Sequence, residues 1–200
     1  PTNLTIMPAN AGSLTFRITV HGVAAHGARR WDGHNALEGV PEILARLREL
    51  ESRRNTDVPE VLASWPIAYP ISVGRIAGGD WPSTVMAAVT FEGRYGVRLG
   101  ETLAEAMADL ETALEGTGAH IEWPGGRFAA ASLDAGHPLI GQLSVAHAEV
   151  TGRQPAVIGG TYGSDLRQLL GAGIPAVQYG PGDAALAHGE DEEVLLADVE

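Results

Sequence analysis

The sequence predicts an α+β module over residues 13–123, followed by an incomplete α/β layer over residues 124–200. In the first part, strict alternation of apolar and polar residues marks the strands, and apolar residues at helical spacing mark the segments between them. After residue 123 the pattern changes. Short apolar runs that end in glycine alternate there with helices, as in a parallel sheet covered on both faces.

The first strand and the first helix of the module have the clearest patterns. Residues 14–21 (LTFRITVH) place apolar side chains on one face and polar side chains on the other, which predicts a half-buried strand of an antiparallel sheet. From Asn35 to about Arg54 the apolar residues recur every three or four positions, which predicts a helix with one buried stripe.

The remaining elements complete the order β-α-β-β-α-β. Thr102 and Glu105 form a capping box, which predicts that the second helix begins there. The predicted strands are ISVGRI (71–76), TVMAAVTFEGRYGV (84–97) and AHIEW (119–123). This is the order of split-βαβ, ferredoxin-like domains, so we expect a four-stranded antiparallel sheet with both helices on one face.

In the second part of the chain, shorter sequence patterns predict the strands and helices. PAVIGG (155–160) and PAVQYGPG (175–182) predict short buried strands. The predicted helices are LIGQLSVAHAEVTG (139–152), SDLRQLLGAG (164–173) and DEEVLLADVE (191–200). Two strands and three helices are too few for a doubly wound domain, so we expect this layer to be incomplete.

The composition limits the ligands that the chain can bind and the reactions that it can catalyse. The net charge of −12 argues against a nucleic-acid or anionic-membrane ligand, because phosphate contacts need a basic face. Without cysteine there is no disulfide, thiolate zinc site or cysteine nucleophile, so any metal must be held by histidine or carboxylate side chains. All 13 basic residues are arginine, which removes lysine nucleophiles. We therefore expect hydrolysis, proton transfer or plain binding, and neither a transmembrane helix nor a signal peptide.

Three side chains are candidates for function from their positions. His188 follows the Gly-rich end of a predicted strand, where ligands of α/β sheets bind, although a loop histidine is more often solvated. His26 lies in the loop after the first strand, and without H-E-x-x-H spacing that loop is not a metal site by itself. Arg94 lies on the polar face of its strand, where it either clamps a substrate carboxylate or is simply solvated.

Three segments together resemble one family of enzymes, the dinuclear zinc aminoacylases and carboxypeptidases that include acetylornithine deacetylase and succinyl-diaminopimelate desuccinylase. The similar segments, in chain order, are GSLTFRITVHGVAAHGARRWDGHNALEGV (12–40), ISVGRIAGGDWPSTVMAAVTFEGRYGVRLGET (71–102) and GIPAVQYGPGDAALAHGEDEEV (173–194). The resemblance implies that residues 13–123 are the dimerisation, or lid, domain. It also implies that residues 1–12 are the tail of the catalytic domain and residues 124–200 its truncated C-terminal part.

The resemblance implies roles for individual residues as well. His188 matches a histidine that binds one of two metal ions. His26 matches a lid histidine that reaches into the active site of the other subunit and stabilises the oxyanion. The implied substrate-binding residues are Arg94 for the substrate carboxylate, Ser83 where many relatives have asparagine, and Gly160 and Thr161 in a Gly-Gly-Thr loop.

For the complete protein, the resemblance implies hydrolysis of the amide bond of N-acyl amino acids or small peptides, by a cytoplasmic homodimer joined through its lid domains. Two divalent metal ions, zinc or else cobalt or manganese, would activate a water molecule, and a glutamate would take its proton. In the family, a His-x-Asp pair, a bridging aspartate and a Glu-Glu pair precede the lid domain, and residues 1–12 of this chain contain none of these residues. We therefore expect no activity and no stably bound metal for this chain alone.

Two other functions stay open. The chain is either part of such a hydrolase or a non-catalytic dimerisation module, which includes a degenerate homologue without the metal ligands. Metal ligands encoded upstream in the gene would separate these two. A weaker alternative is an amino-acid-binding regulatory domain, a role that ferredoxin-like modules often have. That alternative does not account for the segment YGPGDAALAHGEDE (179–192).

Overall fold

A computed structural model describes residues 1–187 and 189–199 of the chain. Its strands and helices, in chain order, are β1 (Ala9–Asn10), β2 (Gly12–His21), α1 (Val40–Arg54), β3 (Ile71–Gly78), β4 (Ala88–Val97), α2 (Leu103–Ala113), β5 (His120–Glu122), β6 (Arg127–Phe128), β7 (Ala131–Ser132), α3 (Pro138–Thr151) and α4 (Leu166–Gly171). Short 3-10 turns cover Gly27–Asp32, Ala36–Gly39, Glu60–Leu62 and Leu196–Asp198. The predicted metal ligand His188 lies outside the described residues.

The central feature is an antiparallel sheet with the strand order β3-β4-β2-β5, in which β6 also pairs with β2. β2 and β4 pair along their whole length, from Gly12 opposite Val97 to His21 opposite Ala88. With α1 between β2 and β3 and α2 between β4 and β5, the elements follow the predicted order β-α-β-β-α-β. The mixed α/β architecture with antiparallel pairing is therefore confirmed.

One face of this sheet carries the main hydrophobic core. The apolar residues of β2 alternate with polar ones and all of them are buried: Leu14, Phe16, Ile18 and Val20. They pack with the buried stripes of α1 and α2, so both helices cover the same face. At roughly 25 cal/mol per Å² of apolar surface, burying one such side chain stabilises the fold by about 2 kcal/mol.

Local sequence explains where the two helices begin. α2 follows Thr102, whose hydroxyl accepts from the Glu105 N–H at 3.2 Å while the Glu105 carboxylate accepts from the Thr102 N–H at 2.8 Å, which confirms the capping box. α1 begins at Val40 and not at Asn35. Asn35 instead caps the 3-10 turn before it, and Pro41 occupies the first turn of the α-helix, where no N–H donor is needed.

The second part of the chain packs around the N-terminal segment. Parallel bridges join Ile6 to Val157 and Asn10 to Gly160. The run 175–182 pairs antiparallel to the same segment, so the expectation of a purely parallel layer is wrong. The N-terminal segment lies between the runs 155–160 and 175–182 and pairs with each of them. The apolar pattern of these two runs gives no sign that a third segment lies between them, which is why their direction was predicted wrongly.

Of the three helices predicted in the second part, α3 and α4 are present. The third, over residues 191–200, is only a 3-10 turn at Leu196–Asp198 in the described residues. The side chains of Leu195 and Leu196 are exposed, so no packing stabilises a longer helix there. Across the described part of the chain, no helix has both the length and the apolar character needed to cross a membrane. The domain boundaries given above and the cytoplasmic location stay predictions.

Candidate functional site

Two loops at one end of the sheet form a hydrogen-bonded tip, which we define as residues 22–36 and 79–87. The Gly27 N–H donates to the Ser83 carbonyl at 2.7 Å, directly beside His26. Further backbone hydrogen bonds of 2.7 to 2.9 Å close the tip within and between the two loops. The structure therefore brings the predicted residues His26 and Ser83 together.

The tip changes the start of a predicted strand. The strand expected over residues 84–97 begins only at Ala88. The preceding residues bond to the other loop of the tip, where the Val85 N–H donates to the Ala25 carbonyl at 2.8 Å. Alternation continues through residues 84–87 although their backbone has left the ladder of β4, which is why the pattern alone predicted a longer strand.

His26 is exposed, and its own loop fixes the orientation of its ring. Nδ1 accepts a hydrogen bond from the Ala28 N–H at 3.1 Å, which caps the 3-10 turn that follows. A neutral imidazole that accepts at Nδ1 carries its proton on Nε2, so the remaining ring nitrogen is a hydrogen-bond donor. Gly27 allows this arrangement, because a Cβ there would lie 2.8 Å from the Ser83 carbonyl oxygen.

Arg94 lies in β4, and its side chain joins the sheet to the second part of the chain. Its Nε donates to Ser13 Oγ at 3.1 Å and its Nη2 to the Thr161 carbonyl at 2.7 Å. Among the described residues no carboxylate pairs with it, and burial lowers the pKa of its guanidinium. Arg94 is thus not simply solvated. A part-buried cation without a carboxylate partner favours an anionic ligand.

Gly160 and Thr161 lie beside Arg94. Gly160 is buried against Asn10, and a Cβ on Gly160 would lie 2.4 Å from Asn10 Nδ2. Asn10 Oδ1 accepts from Ser164 Oγ at 2.9 Å, whereas Nδ2 is buried with no hydrogen-bond partner in the described part of the chain. The structure therefore brings Arg94, Gly160 and Thr161 together and adds Asn10, which the sequence analysis did not identify.

The predicted residues thus form two groups that are far apart in one chain. His26 and Ser83 lie at the tip, before the first residue of β4. From Ala88 to Arg94 the strand extends about 20 Å, at roughly 3.4 Å per residue. One small amide cannot contact His26 and Arg94 of the same chain at once.

A cavity of about 690 Å³ lies at the ends of the runs in the second part, lined among others by Pro1, Thr2, Tyr162, Gln178, Gly180 and Ala187. The Thr2 hydroxyl accepts from the Gly180 N–H at 3.0 Å and ties the N-terminal segment to this loop. Within residues 1–187 and 189–199 no group of three or more histidine or carboxylate side chains could hold a metal ion. The described residues therefore do not by themselves fit a dinuclear metal site.

Two tryptophans at the tip were also not identified from the sequence. Trp31 and Trp81 lie in the two loops that carry His26 and Ser83, and both are exposed. The available signal was a large aromatic residue in each of two loops otherwise rich in glycine and polar residues. For Asn10 there was no local signal, because its neighbours come from distant parts of the chain.

Comparison with known proteins identifies the first module. Residues 9–122, more than half of the chain, match the peptidase dimerisation domain of M20 enzymes. Succinyl-diaminopimelate desuccinylase of Corynebacterium glutamicum is 28% identical over 198 residues, which cover 96% of this chain and 50% of that protein. A Mycobacterium tuberculosis protein whose name places it among the succinyl-diaminopimelate desuccinylases is 30% identical over 189 residues, 94% of this chain and 50% of that protein. The chain spans about half the length of these relatives.

Solved structures share the fold. An M20 family metallo-carboxypeptidase from Sulfolobus solfataricus matches with a TM-score of 0.71 at 14% identity, over 97% of this chain and 56% of that one. The di-peptidase Dug1p from Saccharomyces cerevisiae matches with a TM-score of 0.73 at 8% identity, over 98% of this chain and 53% of that one. At these identities the likeness shows the fold alone. By its match over residues 9–122, the chain belongs to the M20 peptidase dimerisation-domain family.

Proposed function

We propose that this chain is the lid and C-terminal part of a metal-dependent amidohydrolase that cleaves the amide bond of N-acyl amino acids or small peptides. The observation that carries the proposal is the geometry of His26, which presents an Nε2–H donor on a tip more than about 20 Å along the sheet from Arg94 of the same chain. The desuccinylase names of the sequence relatives support the substrate class.

His26 is proposed to act on the partner subunit's substrate. As water attacks the amide carbon, negative charge develops on the carbonyl oxygen, and a fixed donor aimed at that oxygen stabilises the charge. The hydrogen bond from the Ala28 N–H holds the ring in the tautomer that this role requires. Removing one donor of this kind typically costs about 100- to 1,000-fold in rate.

Arg94 is proposed to hold the substrate carboxylate. Ser13 and Thr161 fix the guanidinium in one orientation and leave its other N–H groups for the ligand. Gly160 packs against Asn10 without a side chain, and it is proposed to hold the loop backbone so that the neighbouring Thr161 borders the bound substrate beside this cation. Ser83 is proposed to complete the pocket from the tip of the other subunit.

We also infer a homodimer joined through the lid domains. The strand order β3-β4-β2-β5 supports a ferredoxin-like arrangement of the lid, in which β3 is an edge strand. Within residues 1–187 and 189–199, β3 pairs only with β4, and most of its residues are exposed, so its outer edge presents backbone N–H and C=O groups to a second strand. A symmetric pairing of two lids would let each subunit place its tip in the active site of the other.

His188 is the residue of this chain that we propose as a metal ligand. Divalent metal ions in hydrolases of this kind supply a water molecule with a lowered pKa. Because the described residues alone do not fit a dinuclear site, the remaining ligands are proposed to come from another part of the complete protein, and this chain alone is proposed to be inactive.

Subunit mixing of the complete protein tests the proposal. We expect His26→Ala and Arg94→Ala each to lower kcat/KM by about 100-fold or more. In a heterodimer of the two variants one site keeps both residues, so an equimolar mixture that exchanges subunits regains about a quarter of the wild-type activity. The matched control pairs His26→Ala with the double variant, which restores no site.

Absence of recovery, with subunit exchange verified by native mass spectrometry, would contradict the action of His26 across the dimer. A complete wild-type protein that binds metal but cleaves no N-acyl amino acid or peptide would instead support the non-catalytic dimerisation module.

A further inference from the structure

Two tryptophans at the tip are far more exposed than tryptophan usually is. Trp31 is 73% exposed and Trp81 is 61% exposed. The other two tryptophans have packing partners: Trp65 Nε1 donates to a backbone carbonyl at 2.7 Å, and the ring of Trp123 packs edge-to-face on Tyr95. Because the indole ring is large and apolar, an exposed pair of this kind indicates a surface that becomes covered in use.

Both tryptophans lie in the loops that surround His26. Trp31 belongs to the 3-10 segment Gly27–Asp32 that His26 caps, five residues after His26 and beyond a kink at Arg29. Trp81 is two residues before Ser83, whose carbonyl accepts from the Gly27 N–H, so it lies within about 8 Å of that contact along the chain. One loop of the tip therefore supplies one indole and the second loop supplies the other.

We propose that Trp31 and Trp81 form walls of the acyl-group pocket in the active site of the other subunit, and so select substrates with a bulky, apolar acyl group. This inference rests on the proposed function, in which Arg94 of one subunit holds the substrate carboxylate and His26 of the other donates to the carbonyl oxygen. The acyl substituent is bonded to that carbonyl carbon and extends away from the amino-acid half, so it lies against the tip.

The chemistry of the tip favours an apolar acyl group over an ionic one. Arg29 and Asp32 neutralise each other through an ion pair of 2.7 Å. The two other charged neighbours of the tryptophans, Arg30 and Asp80, have opposite signs, so the tip has no net preference for a charged group. Indole faces bury aliphatic chains and stack on aromatic rings, whereas a carboxylate loses its hydration against them.

The test uses the complete, metal-loaded protein and one amino acid linked to acetyl, hexanoyl, phenylacetyl or succinyl groups. We expect Trp31→Ala and Trp81→Ala to lower kcat/KM for the hexanoyl and phenylacetyl substrates by about 10-fold or more, and for the acetyl substrate by less than about 3-fold. Val150→Ala is the matched control, because Val150 is an apolar side chain on α3 that is 82% exposed and lies outside the tip. Trp31→Phe and Trp81→Phe keep an apolar ring and should retain most of the preference.

Two results would overturn the inference. One is an equal loss of kcat/KM for all four acyl substrates. That result would mean that the tryptophans contribute to contact between the subunits, and size-exclusion chromatography would then show a weakened dimer. The other is a wild-type preference for the succinyl substrate that the tryptophan variants leave unchanged. His26→Ala, assayed on the same panel, should lose activity on every substrate alike. If it loses none, the proposed function fails, whatever the tryptophan variants show.

Discussion

Arg54 is a buried charge of the dimerisation domain, and we expect the stability of this domain to depend on it. Its side chain is 1% exposed, yet it lies at the end of α1. Its two Nη atoms donate to the two Glu101 carboxylate oxygens at 2.9 and 2.6 Å, and Nη1 also donates to Asp109 at 2.6 Å. The guanidinium lies 4.4 Å from the centre of the Tyr95 ring. Burial alone would lower the pKa of Arg54, but the bonds to these carboxylates raise it.

We expect Arg54→Met to lower the free energy of unfolding by about 3 to 5 kcal/mol, the usual cost of breaking a buried ion pair. The main cause is Glu101, whose side chain is 6% exposed and would remain as a buried charge without its bidentate partner. Arg53→Met is the matched control. Arg53 is half-exposed and contacts Asp109 at 3.2 Å, so its removal should cost no more than about 1 kcal/mol.

Urea denaturation followed by circular dichroism measures both changes. Adding Glu101→Leu to Arg54→Met should recover a large part of the loss, because apolar replacements for both partners leave no unpaired charge. A loss of less than about 1 kcal/mol for Arg54→Met, or equal losses for Arg54→Met and Arg53→Met, would refute the reasoning.

Three further predictions concern the tip, a helix cap and acid stability. Gly27→Ala should lower kcat of the complete enzyme by about 10-fold or more, because its Cβ would displace the loop that holds His26; Gly141→Ala in α3, with open space around its Cβ, should not. Thr102→Ala should cost about 1 kcal/mol in urea denaturation through loss of the α2 cap. Burial of Asp109 opposes its ionisation, but its arginine partners outweigh this effect and lower its pKa. Ionised Asp109 therefore stabilises the fold above about pH 4, the ordinary pKa of aspartate, and this stabilisation is lost as the pH falls through the lower pKa of Asp109 in the folded state. Denaturation between pH 7 and pH 3 should show a smaller loss in Arg54→Met, where Arg53 remains as a partner of Asp109, than in the wild type.

Elements with a local signal could be predicted from the sequence. The alternation of residues 14–21 predicts both the strand β2 and its buried face, and the capping box predicts the start of α2. Residues 84–87 kept the alternation but lie outside the strand, because their backbone partners belong to a loop about sixty residues earlier in the chain. Helical spacing likewise could not show that a charged residue at the end of α1 is buried, since its carboxylate partners come from α2 and the turn before it.

The candidate site was predictable only in part. His26 and Arg94 are candidates both from their positions and from the resemblance. Their separation by the length of β4 could be seen only from the pairing of the strands. The bond from Arg94 to the Thr161 carbonyl joins residues that no local pattern connects. The exposure of the two tryptophans and the unpaired Nδ2 of the buried Asn10 could be recognised only in the structure. Both are properties of the folded chain and leave no local sequence pattern.

The distance between the tip and Arg94 has a consequence for enzyme kinetics. If each active site takes its carboxylate-binding arginine from one subunit and its oxyanion donor from the other, the dimer is the smallest unit that can turn over substrate. Specific activity should then fall when the complete enzyme is diluted below the dissociation constant of the dimer, with a second-order recovery on reconcentration. The length of one β-strand would thus make the rate per subunit depend on the concentration of the protein itself.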